Sequence, residues 1–432
     1  MQQQQVVIVG TGVCGIEAAL ALRRREPETR IALVSDEHDH FFSRPALMYV
    51  FAGQMTLRDI EPYDRELFGR MGFERIRGRV EALDPAARRL TLDGGATVGF
   101  DRLLLAVGSK ARPAPWPGSD GPGVHAFVTL GDLGRLDSDA RPGGRAVVIG
   151  GGLIGVEAAE ILAHRGLQVT FVIRQTWYFP VALEAREGAL VAEHLRTHGI
   201  DVRLEAPVEA ILRGPDGAVR GLRVAGGEVP CDLVVAAIGV VPNTAFLAGA
   251  AVTRAASGAI EVDEGLRTSA PGIWAAGDCA NVTWIDGSRR PEQLWYTARD
   301  QGRVAAASMT GNAAVYRREA WYNSAKFFDL EYTTAGWIPV GLDAENRAIP
   351  VEDGVTTWFQ RAPGACASER IVCRGDRVVG FNMLGGRWNH EPLLEWIQDR
   401  RPLDWVLAHL REAQFDEEFE RRFRVTAAAQ VS

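Results

Sequence analysis

The sequence predicts an α/β protein: two doubly wound parallel-sheet units, each with an antiparallel meander, followed by a C-terminal α+β domain. Three observations carry that expectation. Val6 to Val9 is a short apolar run that breaks into glycines and then into a helical pattern. The same order returns later, AVVIGGGLIGVE at 146–157 repeating VVIVGTGVCGIE at 6–17 with a constant offset of 140 residues. From Trp321 onward the pattern changes to alternating strands and two short helical stretches.

In the first unit, Val6–Val9 reads as a buried parallel strand because it is apolar on both faces. Gly10, Gly12 and Gly15 follow, then a helical pattern over 16–25. Glycines at that spacing permit a tight turn, approach of the backbone to a diphosphate, and close helix–strand packing. The diphosphate would sit on the helix N-terminus, where free N–H groups favour an anion. A second strand, 31–34, leads to Asp36, twenty-one residues after Gly15, where a carboxylate can accept hydrogen bonds from ribose hydroxyls. Arg44, before Pro45, offers a guanidinium fork near that diphosphate. Residues 77–105 alternate around the turn signals DP and DGG, a meander that closes on an apolar strand at 103–107. The chain leaves through GSKARPAPWPG, which contains Lys110.

The second unit repeats each step. Gly150, Gly152 and Gly155 open a helix over 156–165, Glu157 matches Glu17, and a strand at 169–173 ends at Arg174. A meander spans 202–229, and a strand at 233–238 runs into Gly239 of GVVPN. Two copies of one nucleotide-binding architecture point to an enzyme that holds two dinucleotides. After Asn243, a strand at 259–262 and another at 273–276 lead to Gly277-Asp278, a carboxylate suited to a second sugar-like chain. A helix is expected over 296–309, its N-terminus able to stabilise negative charge on a cofactor ring, and Cys279 is placed at a helix start.

The composition narrows the class. The 432 residues allow about three domains at roughly 150 residues each. No apolar run approaches the ~18 residues of a membrane span, and the opening MQQQQ lacks a signal-peptide pattern, so a cytoplasmic protein is expected. The net charge of −7 argues against nucleic acid as partner. Cys14, Cys231, Cys279, Cys366 and Cys373 form no C-x-x-C pair, and no metal is expected. Only Lys110 and Lys326 are lysine among 48 basic residues.

With these motifs in hand, the chain resembles the pyridine nucleotide–disulfide oxidoreductase superfamily of two-dinucleotide-binding flavoproteins, over about residues 6–312. It is more similar to the ferredoxin/rubredoxin reductase and apoptosis-inducing-factor branch than to the glutathione reductase branch. The resemblance implies two Rossmann-like domains, with FAD on 6–118 and 243–312, NAD(P)H on 119–242, and an interface or acceptor-side domain over 313–432. It implies that Gly10, Gly12, Gly15 and Asp36 hold the ADP half of FAD, Arg44 its phosphates, and Gly277-Asp278 its ribityl region. Lys110 would lie near the flavin. Gly150, Gly152, Gly155 and Gly239 would serve the nicotinamide dinucleotide, with Glu157 near the nicotinamide.

Three departures from family patterns shape the expected chemistry. Residues 41–53 hold no cysteine, so electrons are expected to leave the flavin directly for a redox protein or small acceptor. Tyr49 stands where the ferredoxin-reductase branch carries lysine. Arg174 stands where NAD-preferring relatives carry Glu, which favours NADPH, although a second arginine of the NADPH pattern is Pro180 here. Catalytic surroundings are therefore assigned to Lys110, Glu157 and Tyr49. His390 and Glu395 reproduce an H-x4-E spacing, with a helix-start histidine the simpler reading. The rival readings are a quinone or oxygen reductase, and a flavin-bearing interaction protein whose redox state controls assembly; the oligomeric state, a homodimer among the choices, stays open.

Overall fold

The computed structural model describes residues 4–285, 287–339, 353–362 and 365–415. The last stretch of the expected third domain, 416–432, lies outside them. The chain forms two compact units, one of Met1–Arg112, Val128–Gly134 and Val240–Arg318, the other of Pro113–Phe127, Arg135–Gly239 and Glu319–Ser432. The second unit thus combines the second glycine-loop segment with the C-terminal sheet. Among the described residues no helix is long and apolar enough to cross a membrane.

The first unit begins with β1 (Gln5–Val9), α1 (Val13–Arg25) and β2 (Arg30–Ser35). β3 (Phe73–Arg77) and β4 (Arg102–Leu105) extend the sheet. All pairings are parallel, and Val7 sits opposite Ala32 on one side and Leu103 on the other. Such a central strand is covered on both faces, which is why Val6–Val9 is apolar throughout. The expected meander is an antiparallel sheet of Val80–Asp84, Arg89–Leu92 and Thr97–Gly99.

In the second unit β5 (Val124–His125) and β6 (Arg145–Ile149) lead to α2 (Leu153–His164) and β7 (Gln168–Val172). α3 (Ala185–Thr197), β8 (Asp201–Arg203) and β9 (Leu233–Ala236) follow. The parallel order is β8-β7-β6-β9-β5, with Val147 between Thr170 and Val234, so β6 holds the place in this sheet that β1 holds in the first. Its meander is Val208–Arg213, Val219–Val224 and Gly227–Pro230.

The chain then returns to the first unit. β10 (Ile273–Ala275) completes a sheet of order β10-β4-β1-β2-β3, and α4 (Trp295–Met309) packs on α1. A Cβ on Gly302 would come within 2.3 Å of the Cys14 carbonyl oxygen, so a glycine is what lets these two helices approach. With the sheet on one side and α4 on another, residues 14–22 of α1 are all buried.

The C-terminal sheet is antiparallel: β11 (Tyr322–Phe327), β12 (Leu330–Gly336), β13 (Val355–Arg361), β14 (Ser368–Arg374) and β15 (Arg377–Leu384), in order β11-β12-β15-β14-β13. Arg374-Gly375-Asp376 is its β14–β15 hairpin turn, as expected. Helices α5 (His390–Gln398) and α6 (Leu403–His409) cover one face through Ile371, Phe381, Trp396 and Val406. The opposite alternation carries Arg370 and Asn382, paired across β14 and β15 and both buried. Arg370 Nε lies 3.0 Å from a Glu187 oxygen, and the Asn382 amide donates to Glu187 at 2.9 Å and to the Ala182 carbonyl at 3.1 Å. A buried guanidinium with these partners ties the sheet to α3.

Candidate dinucleotide-binding sites

Each glycine triplet divides into two packing glycines and one open one. Gly10 has φ +103°, and a Cβ there would lie 2.1 Å from the Ala106 carbonyl oxygen. A Cβ on Gly15 would lie 1.9 Å from the Gly10 carbonyl oxygen. Gly12 is different: a Cβ there would meet no atom within 4 Å. It caps α1 with extended backbone, no side chain accepts from the first turn, and that turn holds no acid. The first N–H groups of α1 therefore face a cradle bounded by backbone, suited to an anion. The second unit repeats this. Gly150 (φ +114°) would place a Cβ 2.3 Å from Ala237 O, Gly155 would place one 2.0 Å from Gly150 O, and Gly152 opens on free space at an uncapped α2. Both loops fit a diphosphate.

Around the first cradle, Asp36 is exposed one residue beyond β2. Beside it lies a cleft of 220 Å³ lined by Thr11, Ser35, His38, Asp39, Arg75 and Arg77. Arg44 is already engaged. Its fork meets Glu37 at 2.6 and 3.0 Å and donates to the Val128 carbonyl at 2.7 Å, while Leu130 N–H donates to the same Glu37. Burial pushes the Glu37 carboxyl up, but Arg44 and Leu130 outweigh it and hold the group below its ordinary value. Sequence spacing gave no sign of Glu37.

Asp278 follows β10 and is pushed up to about 6 by burial, against the Ser109 hydroxyl 3.1 Å away and the charge of Arg44. Gly277 has φ +79°, and its N–H donates to the buried Gln301 amide oxygen at 2.8 Å. Gln301 and Ser109 thus fix the Asp278 turn; Ser109 lies beside Lys110 in GSKARPAPWPG, whereas Gln301 lies in no recognisable motif. Lys110 is exposed on a short strand, Ser109–Ala111, paired with Val240–Pro242, and Tyr49 is 38% exposed in a short helix. Cys279 corrects the sequence expectation. It precedes a strand, Ala280–Thr283, rather than a helix, and its thiol donates to carbonyl oxygens of Leu105 and Ala276.

Around the second cradle, Glu157 on α2 is pushed up to about 7 by burial and then by the neighbouring charge of Glu160. Arg174 is exposed just past β7 and makes no hydrogen bond or ion pair among the described residues. Gly239 has φ +95° in the turn after β9. His390 and Glu395 are not brought together: five residues apart on one helix they point roughly 140° from each other. His390 Nε2 instead lies 3.1 Å from the Asn323 carbonyl, and burial lowers its basicity.

The chain matches the family described as pyridine nucleotide-disulphide oxidoreductase over residues 4–302. It belongs to that family. It is 34% identical to the ferredoxin reductase subunit of 5,5′-dehydrodivanillate O-demethylase from Sphingobium sp., over 87% of this chain and 91% of that one. It is 33% identical to rhodocoxin reductase from Rhodococcus erythropolis, over 82% and 83%. Among solved structures, the covalent putidaredoxin reductase–putidaredoxin complex is similar at a TM-score of 0.79 and 25% identity, covering 92% of this chain and 94% of that one. The ferredoxin reductase for the CYP199A2 system of Rhodopseudomonas palustris is similar at 0.78 and 26%, covering 88% and 91%. The protein is therefore an NAD(P)H-dependent flavoprotein oxidoreductase with FAD as its cofactor.

In a family named for a disulfide, the thiols decide the chemistry. All five cysteines are free, and only Cys366 is more than slightly accessible. Burial raises every one: Cys231 and Cys279 to about 12, Cys366 and Cys373 to about 11, and Cys14 well above its ordinary value. Thiols held protonated are poor nucleophiles.

Two outcomes follow from this geometry. Gly12→Ala leaves the stability of the flavin-free protein within about 1 kcal/mol, but a methyl group enters the cradle and FAD affinity falls at least tenfold, roughly 1.4 kcal/mol. Gly10→Ala instead destabilises the fold, because its methyl meets the Ala106 carbonyl. Flavin titration beside urea unfolding separates the two, and equal effects on folding would show that Gly12 is only a packing glycine. Glu157→Gln tests burial. Glu157 holds its proton from its unfolded value of 4.5 up to about 7, so its ionised form burdens the fold above pH 7, and that burden fades as pH falls towards 4.5. The Gln variant is expected to be up to about 3 kcal/mol more stable than wild type at pH 8 and equal to it at pH 4.5. A pH-independent difference would remove the buried-acid assignment.

Proposed function

We propose that NADPH is the preferred donor and a small iron–sulfur redox protein the acceptor. The observation that carries the acceptor is the set of five raised, non-pairing thiols: nothing in the chain is prepared to relay electrons through sulfur. The relatives named as ferredoxin and rhodocoxin reductases, matched over most of their length, support it.

In this reading residues 6–118 and 243–312 hold FAD, 119–242 hold the nicotinamide dinucleotide, and 313–432 serve the acceptor side. Gly10, Gly12 and Gly15 seat the FAD diphosphate on α1, Asp36 accepts from the ribose hydroxyls, and Asp278 meets the ribityl chain. An acid pushed up to about 6 can accept or donate towards sugar hydroxyls near neutral pH. Arg44 stays locked on Glu37 as a positive wall beside the phosphates. Gly150, Gly152, Gly155 and Gly239 seat the second dinucleotide, and Glu157, half protonated near pH 7, offers an O–H or a lone pair to the carboxamide. Lys110 and Tyr49 complete the polar surroundings of the flavin. The bound flavin supplies the conversion of a two-electron hydride into electrons that a one-electron carrier can take.

Support for the NADPH preference comes from Arg174, an exposed guanidinium two residues beyond β7 that has no competing partner among the described residues and could pair with a 2′-phosphate. Arg174→Glu replaces attraction by repulsion, a change of about 1–3 kcal/mol, so the NADPH/NADH ratio of kcat/KM is expected to fall roughly 5- to 150-fold. The same steady-state assay is run with a [2Fe–2S] ferredoxin, a soluble quinone and oxygen. An unchanged ratio defeats the coenzyme reading. Turnover with quinone or oxygen alone at or above the ferredoxin rate defeats the acceptor reading.

A further inference from the structure

The second unit carries a cluster of metal-ligating side chains that the nucleotide chemistry does not use. His194 lies near the C-terminal end of α3 and His198 caps it, one turn apart. Asp329 lies in the turn between β11 and β12. Its Oδ1 sits 2.8 Å from His194 Nε2 and 3.1 Å from His198 Nε2, and one ligand atom from each of the three residues falls within 4.8 Å of the others. We propose that His194, His198 and Asp329 form a site for one divalent transition-metal ion, with Zn²⁺ the best fit, that clips the end of α3 to the β11–β12 turn.

The hydrogen bonding points to a lone pair as well as a carboxylate. His198 Nδ1 lies 3.0 Å from the His194 carbonyl oxygen, to which it donates. The neutral ring then presents an unprotonated Nε2 to Asp329. A lone pair facing a carboxylate oxygen is repulsive unless a proton or a cation lies between them. His194 Nε2 is buried and makes no well-aligned hydrogen bond. Backbone donation from a ring nitrogen is also how proteins orient histidine ligands.

The carboxylate is presented by structure around it. Phe328 adopts a left-handed conformation (φ +59°), and its N–H donates to Glu160 on α2 at 3.2 Å. Its ring packs against His198, with centroids 4.5 Å apart. These contacts fix the turn that carries Asp329.

The donor set selects the class of ion. Two imidazoles and one carboxylate suit zinc, cobalt or nickel, whereas calcium and magnesium prefer oxygen alone. Zinc bonds of about 2.0–2.2 Å in tetrahedral geometry separate ligand atoms by roughly 3.3 Å, so Asp329 Oδ1, at 2.8 and 3.1 Å from the two imidazole nitrogens, would withdraw a few tenths of an ångström as the ion enters. Asp329 is 75% exposed, which leaves an entry path and room for a water as fourth ligand. The negative end of the α3 dipole adds to the attraction.

The test uses the full-length, flavin-loaded protein after chelation and dialysis. ZnCl₂ is titrated by calorimetry, and CoCl₂ is followed by its visible bands at longer wavelength than the flavin. Wild type is expected to take up one ion per chain and to gain thermal stability with zinc. His194→Ala and Asp329→Asn are each expected to bind at least tenfold more weakly and to lose the gain. Asp329→Asn changes an exposed turn residue, so it keeps the test valid even if His194→Ala folds poorly; flavin content checks both. No uptake by wild type, or equal affinity in wild type and Asp329→Asn, overturns the proposal. Neither result bears on the coenzyme or the acceptor.

Discussion

Each nucleotide loop depends on one contact between two stretches of backbone. The Gly10 carbonyl oxygen occupies the space that a side chain at residue 15 would need, and Gly150 does the same to residue 155. That contact sets α1 hard against β1 and leaves its first N–H groups uncapped and facing outward. The rest of the first site follows from sheet geometry. Strands that run parallel to β1 end at the same edge, so β2 delivers Asp36 and β10 delivers Asp278 there although some 240 residues separate them.

Burial that outweighs its partners marks two acids at these sites. Asp278 and Glu157 are both pushed towards neutrality chiefly by desolvation. Compare Glu37, less deeply buried, whose carboxyl Arg44 and Leu130 hold below its ordinary value. The contrast sorts the acids by role. A satisfied acid such as Glu37 shapes the site, whereas an acid left wanting partners is one that hydroxyls or an amide of a bound dinucleotide would relieve. Gln301 supplies the rigidity, because its amide fixes Gly277 and so aims Asp278.

What could be read from the sequence was local or repeated. The glycine loops, the acid after β2 and the meanders need only a short window, and the 140-residue repeat made each copy support the other. What could not be read was made by residues far apart. Glu37 finds Leu130 ninety-three positions away, Asn382 finds Glu187 across 195, and His194 and Asp329 belong to different elements altogether. Cys279 was misplaced for a related reason. The following ANVT pairs with Ile260–Glu261 and Arg289–Arg290 to form a strand, and that partnership has no local signature.

The central claim is that flavin works without thiols. Cys14 and Cys279 are its strongest challenge, since Cys14 packs against Gly277 and Cys279 follows Asp278, so both flank the same turn. Yet both are buried, and both are raised rather than activated. Anaerobic titration of the flavin-loaded protein with dithionite, followed by the flavin absorbance, counts the electrons directly. Full reduction at two electrons per FAD is expected, unchanged when Cys14 is replaced by Ser. Uptake of four electrons per FAD, falling to two in Cys14→Ser, would reveal a second redox centre in sulfur and contradict the claim.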